Sequence, residues 1–358
     1  MRQRNGTYDH VDAIQREWRR VLPAVDASAI GVTGRVTRIA LYTDREAHDH
    51  FGRFRLSASS FEVLTSLHRA RPRGISPTSL GREQNMSSAG ITGLLDQLEG
   101  EALVTRSPDT HDRRRVLLTL TPKGADLVGV AAAGAAISEG RLSQALGAPA
   151  KTGLHVLLSR LLGTVEPGLD LRRAGTSWCI SRVAAHINQE ADDLFQRFGL
   201  SHGGFQVLAS LYRSGPPHRR SPSEVARGLM LSSAGMTGRM DQLERSALLL
   251  RHRDLDDRRG VIVQLTEQGA QLVRISFRAF VRSHERMLDR ALKADEQSTL
   301  AKLLHQALLG FEASSAPRPE KKKGPAGGGA GPGKERKGCA DDTPHVSRRQ
   351  DSYMRRVI

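Results

Sequence analysis

The pattern of hydrophobic and polar positions predicts a mainly helical chain with short strands. Amphipathic periodicity of the helical type predicts helices at 36–54, 58–70, 180–198 and 202–214. Two pairs of long helical segments follow, at 125–147 with 151–163 and at 270–292 with 295–310. Alternating, β-branched residues predict strands at 116–120 and 261–265. The predicted class is mainly α with small β hairpins.

Two pairs of shorter helices carry local start signals. Ser221, Pro222 and Glu224 predict a capping box with proline at the first helical position, and Ser76 with Pro77 gives the same start without the glutamate. A second short helix begins at Ser87 or Ser232. Its apolar residues recur at i, i+4 and i+7 and form one face: Ile91, Leu95 and Leu98, or Met236, Met240 and Leu243. The opposite face is small and rich in hydroxyl groups.

An internal repeat relates the two parts of the chain. The run SSAGITGLLDQLEG from Ser87 recurs as SSAGMTGRMDQLER from Ser232 at an offset of 145, and upstream the offset is 144. A period of this length indicates a duplicated domain and not a solenoid. We therefore predict a first domain at 1–165, a second domain at 166–312 and a tail at 313–358.

The charge of the chain favours a polyanionic partner. The formal net charge is +16, of which the Pro- and Gly-rich tail, predicted to be disordered, carries +6. The two cysteines, Cys179 and Cys339, are too few for a disulfide framework. Apolar runs are too short to span a membrane, and the start of the chain does not resemble a secretory signal. We therefore expect a cytoplasmic protein with no membrane partner.

The order helix, helix and hairpin with an arginine-rich tip predicts a winged helix-turn-helix in each copy. A helix with a small, hydroxyl-rich face can approach base edges, and its N-terminal N–H groups can bind phosphate. Paired arginines at a hairpin tip suit the negative potential of the minor groove. These features predict double-stranded DNA as the partner.

Three runs in the chain resemble a known family. S-S-A-G-[IM]-T-G-x-x-D-Q-L-E, D-x-x-D-R-R and L-T-x-x-G look like the multiple-antibiotic-resistance regulator (MarR) family. The resemblance implies winged-helix repressors or activators that act as dimers through their N- and C-terminal helices. Many such proteins sense small aromatic acids, phenols or oxidants. We expect a DNA-binding transcription regulator, a repressor, released by a small aromatic or phenolic effector.

The resemblance also implies which residues bind DNA. The recognition-helix residues expected in the major groove are Ser87, Ser88, Thr92, Ser232, Ser233, Thr237 and Arg239. The wing residues expected in the minor groove are Arg113, Arg114, Arg258 and Arg259. Two such domains in one chain predict an intramolecular pseudo-dimer in preference to a homodimer. Leu94 is the counterpart of Arg239, and Gln84 stands where Leu229 packs, so we expect unequal binding and a non-palindromic operator.

Other functions find less support in the sequence. No nucleophile–base or metalloprotease motif is present, so we expect no enzymatic activity, cofactor or metal. The alternative function is a degenerate regulator that binds another MarR-like protein and has little DNA specificity of its own. The departures at Leu94 and Gln84 are what would favour that alternative.

Three weaker candidate sites have ordinary structural explanations. Cys179 lies where some relatives carry a reactive cysteine, but we expect a structural thiol. Among Glu46, His48 and His50, only Glu46 and His50 share a helix face, so a metal site is not expected. The aromatic residues that could line an effector pocket, or simply form core, are Trp18, Phe51, Phe54, Phe195 and Phe198.

Overall fold

The computed structural model of the chain describes residues 8–84, 86–109, 112, 115–169, 171, 174–230, 233–253 and 260–315. We call residues 8–165 the first half and residues 174–315 the second half. Both are mainly helical, and each contains a small antiparallel sheet. Among the described helices, none combines the length and apolarity that crossing a membrane requires.

The first half contains helices and one hairpin. Its helices are α1 (His10–Val21), α2 (Ser28–Phe51), α3 (Ala58–Arg69), α4 (Pro77–Glu83), α5 (Ser88–Gly100), α6 (Pro122–Leu146) and α7 (Ala148–Val165), with a 3-10 turn at Gly52–Phe54. Its strands are β1 (Val104–Pro108) and β2 (Val116–Leu120), paired antiparallel with Val104 opposite Leu120. The strand predicted at 116–120 is confirmed.

The second half repeats this succession of elements from α2 onward. Its helices are α8 (Thr176–Gln196), α9 (His202–Arg213), α10 (Pro222–Leu229), α11 (Ser233–Arg245), α12 (Glu267–Ala291) and α13 (Ala294–Ser315). Its strands are β3 (Arg219–Arg220), β4 (Leu249–Arg253) and β5 (Val261–Leu265), and β5 lies between the other two. In the first half a single bridge between Ile75 and Leu118 stands where β3 pairs with β5.

Most of the helices have an N-cap residue whose side chain accepts a hydrogen bond from the first turn, including those for which the sequence predicts a cap at Ser76, Ser87 and Ser221. Ser221 accepts a hydrogen bond from the Glu224 N–H, and the Glu224 carboxylate accepts one from the Ser221 N–H, which confirms the capping box before α10. Ser76 caps α4 in the same way without the acidic partner. Ser87 and Thr121 cap α5 and α6. The short polar side chains therefore satisfy N–H groups that helix ends leave unpaired.

Two features at the N-terminus differ from the prediction. Helix α2 begins at Ser28 and not near residue 36, and α1 has no counterpart among the predicted helices. Gly31 and Gly34 interrupt the apolar pattern in the first turns of α2. A Cβ on Gly31 would lie 2.5 Å from the Gln15 Nε2 atom of α1. The glycine thus allows the two helices to pack closely, which the pattern of a single helix does not reveal.

Buried side chains form three hydrophobic clusters in the described residues. The first-half core lies under α3, α4, α5 and the hairpin, and includes Leu64, Leu80 and Leu98. The second-half core lies under α9–α11 and the sheet of that half, and also takes in Trp18 of α1. The third cluster, the shared core, combines α1, α2, α6 and α7 with α8, α12 and α13. The helices of both halves therefore belong to one compact unit.

A histidine is buried where α12 meets α2. His284 is 1% exposed, its Nδ1 lies 3.5 Å from the Thr33 hydroxyl oxygen, and its ring packs edge-on against Phe280. Burial, and to a smaller extent the nearby His202, lowers the pKa of His284 from 6.5 to about 3. The folded protein therefore keeps this ring neutral.

Acid should destabilise the protein through His284. As pH falls from 6.5 toward 3, His284 binds a proton in the unfolded chain but stays neutral in the folded protein. The free energy of unfolding therefore decreases. The variant His284→Gln cannot titrate and should lose less stability over this range. Urea unfolding at several pH values measures both slopes. Equal slopes in the two proteins would show that His284 contributes nothing to the acid sensitivity.

Candidate nucleic-acid interface

Helix α5 of the first half presents the polar face that the sequence predicts. Ile91, Leu95 and Leu98 are buried, whereas Ser87, Ser88 and Thr92 are exposed. The Ser87 hydroxyl accepts a hydrogen bond from the Gly90 N–H at 3.1 Å, and the Thr92 hydroxyl donates to the Ser88 carbonyl at 2.8 Å. The helix therefore exposes small side chains at its N-terminus, where a phosphate or base edge can come close.

Helix α11 of the second half has the same arrangement with one difference. Met236 and Met240 are buried and Thr237 is exposed. Ser232 lies outside the described residues, and Ser233 is the first residue of α11. Arg239 is half-buried and lies across Gly203 of α9, where a Cβ would come within 2.8 Å of its guanidinium carbon. The absence of a side chain at residue 203 makes room for this arginine.

Helix α4 compensates for the polar residue at its end. The Gln84 amide donates to the Ser66 hydroxyl at 2.9 Å, and that hydroxyl donates to Glu83, which also pairs with Arg69. Gln84 is therefore hydrogen-bonded, although Leu229 packs apolar at the matching position. A Cβ on Gly81 would lie 3.3 Å from Ile91 of α5. The absence of a side chain at Gly81 thus lets the two helices pack close together.

An arginine on the first strand of each hairpin binds two acids of the preceding helix. Arg106 of β1 lies 2.6 Å from Asp96 and 3.1 Å from Glu99 of α5. The matching contacts in the second half join Arg251 to Asp241 at 2.6 Å and to Glu244 at 3.3 Å. Each arginine thus forms two ion pairs that connect the first strand of its hairpin to the preceding helix. Sequence reasoning missed them, although D-x-x-E precedes an arginine by ten residues in both copies.

The hairpin tips are only partly described. In the first half the Asp109 N–H donates to the Arg115 carbonyl at 2.8 Å, and the Arg115 N–H donates to the Asp112 carbonyl at 2.8 Å. These bonds form a turn at the end of β1 and β2. The predicted wing residues lie outside the described residues: Arg113, Arg114, Arg258 and Arg259.

Cys179 is a buried thiol. It has no measurable exposure, and burial raises the pKa of its thiol above the usual 9.0. Its sulfur lies 3.8 Å from the Ser159 hydroxyl and 3.9 Å from the His155 Nδ1. Burial and a raised pKa both oppose thiolate formation.

The two candidate metal ligands that share a helix face, Glu46 and His50, are engaged in other contacts. Glu46 forms an ion pair with Arg141, and the His50 ring packs against Phe51 and Phe54. Glu46 is thus held by an arginine, and His50 by aromatic rings.

A second group brings metal-ligating side chains together: Asp9, Asp12 and His305. The guanidinium of Arg35 lies among them, with its Nε 2.6 Å from Asp9, and it also pairs with Asp12. Burial alone would raise the pKa of Asp9, but hydrogen bonds from Arg35 and from the Asp12 N–H lower it. The arginine therefore supplies the positive charge at this position.

The aromatic residues do not meet in one pocket. Trp18 and Phe195 belong to the second-half core, whereas Phe51 and Phe54 pack with the first-half core. Phe195 stacks on Phe205 at 4.0 Å between ring centroids. These contacts are those of core residues.

Comparison with known proteins agrees with this geometry. The family model described as MarR family matches residues 56–116, from the start of α3 to the hairpin. The HTH-type transcriptional regulator PecS of Dickeya dadantii is 36% identical over 108 residues, 30% of this chain and 65% of PecS. The uncharacterized HTH-type transcriptional regulator YkoM of Bacillus subtilis is 32% identical over 146 residues, 40% of this chain and 87% of YkoM. The chain belongs to the MarR family.

The extent of these matches differs among MarR-family relatives. The chain spans just under two thirds of the length of PecS and 41% of that of the transcriptional repressor YetL of B. subtilis. Among solved structures, the S. aureus MepR–DNA complex is 23% identical, with 34% of this chain and 88% of MepR covered at a TM-score of 0.31. PecS and YkoM are both described as HTH-type transcriptional regulators.

Proposed function

We propose that this protein is a transcription regulator in which one chain supplies both winged helices of a DNA-binding pseudo-dimer. The observation that carries the proposal is the shared core, in which α1, α2, α6 and α7 pack with α8, α12 and α13. Each half outside that core contains a helix pair and a hairpin: α4–α5 with β1–β2, and α10–α11 with β4–β5. The two domains then correspond to 1–165 and 166–312, followed by the tail at 313–358.

The described surface of α5 supports DNA binding by the first half. Ser87, Ser88 and Thr92 are exposed, and the hydrogen-bonded Gln84 keeps α4 satisfied. These contacts favour a first half that binds DNA over a degenerate one that only pairs with another regulator. The residues proposed for the major groove are Ser87, Ser88, Thr92, Ser232, Ser233, Thr237 and Arg239. Arg113, Arg114, Arg258 and Arg259 are proposed for the minor groove.

The two recognition helices should bind different half-sites. Arg239 of α11 lies against Gly203, whereas its counterpart Leu94 packs with the first-half core. An operator usually mirrors the symmetry of the protein that binds it, so unequal helices favour a non-palindromic operator. Repression is supported by YetL, a relative named as a repressor. Release by a small aromatic or phenolic effector rests on the family resemblance alone.

A mobility-shift titration tests the proposed function. The probe is the DNA immediately upstream of the gene that encodes this chain, with random DNA as competitor. We expect a complex that resists the competitor and weakens steeply with salt, because each phosphate contact contributes about 0.9 to the slope of log K against log salt. If random DNA competes as well as the probe itself, both for this probe and for fragments selected from the genome by the protein, sequence-specific regulation is contradicted.

A further inference from the structure

The N-terminal helix α1 belongs to the first half but packs on the second. The Trp18 ring, 3% exposed, stacks on Phe277 of α12 at 3.6 Å between centroids and lies 6.0 Å from Tyr212 of α9. All three residues belong to the second-half core. The first half therefore contributes one large aromatic side chain to the core between α9 and α12, the core on which α10 and α11 also pack.

Polar contacts on the same helix surround this stack. Glu17 pairs with Arg220 of β3 at 3.0 Å and with Arg213 of α9 at 3.5 Å. The Arg20 guanidinium donates to the Arg213 carbonyl at 2.8 Å. Since Arg213 is only 8% exposed, the Glu17 carboxylate compensates a guanidinium charge that would be costly to bury alone.

A second connection joins the first half to α10. Arg38 of α2 donates to the Gly228 carbonyl, in the last turn of α10, at 3.0 Å. Glu312 of α13 accepts a hydrogen bond from the His10 N–H at 3.3 Å and lies 3.8 Å from Arg38. The N-terminus of α1, the shared core and α10 are thus linked by consecutive polar contacts.

The first half has no matching arrangement among the described residues. The sequence repeat equates 10–21 with 154–165, but that segment lies in α7, where Leu154, Leu158 and Leu161 form part of the shared core. The repeat also places His68 and Ala132 where Tyr212 and Phe277 stand. At these two positions the first half thus has an imidazole and a methyl group in place of the phenol and phenyl rings that contact Trp18.

We propose that α1 is a strap that fixes the helix pair α10–α11 to the shared core, with Glu17 and Trp18 as its positioning residues. The pair α4–α5 lacks a strap and adjusts its position when the protein meets DNA. The second half then sets the register on the operator, and the first half accommodates the spacing. The statements about DNA rest on the proposed function, whereas the unequal attachment of the two helix pairs does not.

Hydrogen–deuterium exchange on the full-length protein without DNA tests the strap. In the variant Trp18→Ala, exchange in peptides from α9 and α10 should accelerate at least about tenfold, because local opening loses the stacked contact, while α3 and α4 stay unchanged. The control is Trp178→Ala, the same truncation at the only other tryptophan, which packs on the shared core. It should show no preference for the second half. Equal acceleration of both helix pairs in Trp18→Ala, or none, would overturn the proposal.

A milder variant covers the case in which Trp18→Ala fails to fold. Glu17→Gln leaves the stack in place and removes the charge that pairs with Arg213 and Arg220. It should accelerate exchange in α9 and β3 selectively by a fewfold, and an unchanged protection pattern would contradict the positioning role. The wild-type protein could show unequal exchange protection of the two helix pairs and yet bind no operator. That result would contradict the proposed function but not the role of α1 as a strap.

Discussion

Replacing Gly269 with alanine should destabilise the protein strongly. A Cβ at this position would lie 2.2 Å from the Leu248 carbonyl oxygen and 2.9 Å from a Leu265 methyl group. The same carbonyl accepts hydrogen bonds from the Thr266 N–H and hydroxyl, so it cannot move without loss of the cap of α12. We expect a cost of about 3 kcal/mol, the upper end of the usual cost of overpacking.

The first half offers the same test with a control on the same helix. A Cβ on Gly124 of α6 would lie 2.1 Å from the Leu103 carbonyl, whereas a Cβ on Gly129 meets nothing within 4 Å. Gly124→Ala should be as destabilising as Gly269→Ala. Gly129→Ala should instead raise the free energy of unfolding by up to about 1 kcal/mol, because alanine favours helix. Urea unfolding measures all three variants, and similar values for Gly124→Ala and Gly129→Ala would contradict the close packing of hairpin and helix.

Removing the paired arginines of the second wing should weaken DNA binding strongly. For Arg258→Ala with Arg259→Ala we expect a loss on the order of 1–3 kcal/mol per groove-binding residue. The salt slope should also decrease, by about 0.9 for each phosphate contact that is lost. Fluorescence anisotropy on the operator fragment at several salt concentrations measures both effects.

The control for the wing variant removes the same charge elsewhere. Arg286 and Arg290 are exposed on the last turns of α12, away from the hairpin in sequence. Their double replacement by alanine should change affinity far less than the wing variant at matched salt. The same comparison with Arg113→Ala and Arg114→Ala tests the first wing. If control and wing variants lose equal affinity, general charge and not the wings accounts for binding.

Local signals predicted much of the fold because they act within one turn or one strand. The capping box at Ser221 and the apolar face of Ile91, Leu95 and Leu98 depend only on neighbours in sequence, and both are confirmed. The start of α2 could not be predicted from its own pattern, because Gly31 is needed to leave room for the Gln15 side chain of another helix. Such inter-helix contacts leave no periodic trace in either segment.

The sequence predicted which faces of the recognition helices are exposed, but not the contacts that hold these helices in place. The exposed Ser88 and Thr92 follow from the helical period alone. The ion pairs of Arg106 and Arg251 depend on the tight turn between helix and first strand, at Ala102 and Ala247, which returns the strand along the preceding helix. The hydrogen bond that satisfies Gln84 could not be predicted from α4 alone, because its partner Ser66 lies on α3, eighteen positions earlier.

Native mass spectrometry of the protein with its operator duplex tests the single-chain pseudo-dimer most directly. Its duplex would be the fragment defined by footprinting, with both half-sites present. The shared core predicts a complex of one 39.1 kDa chain per duplex, because the two halves already pair within the chain. A complex with two chains on a duplex that holds a single pair of half-sites would contradict the account.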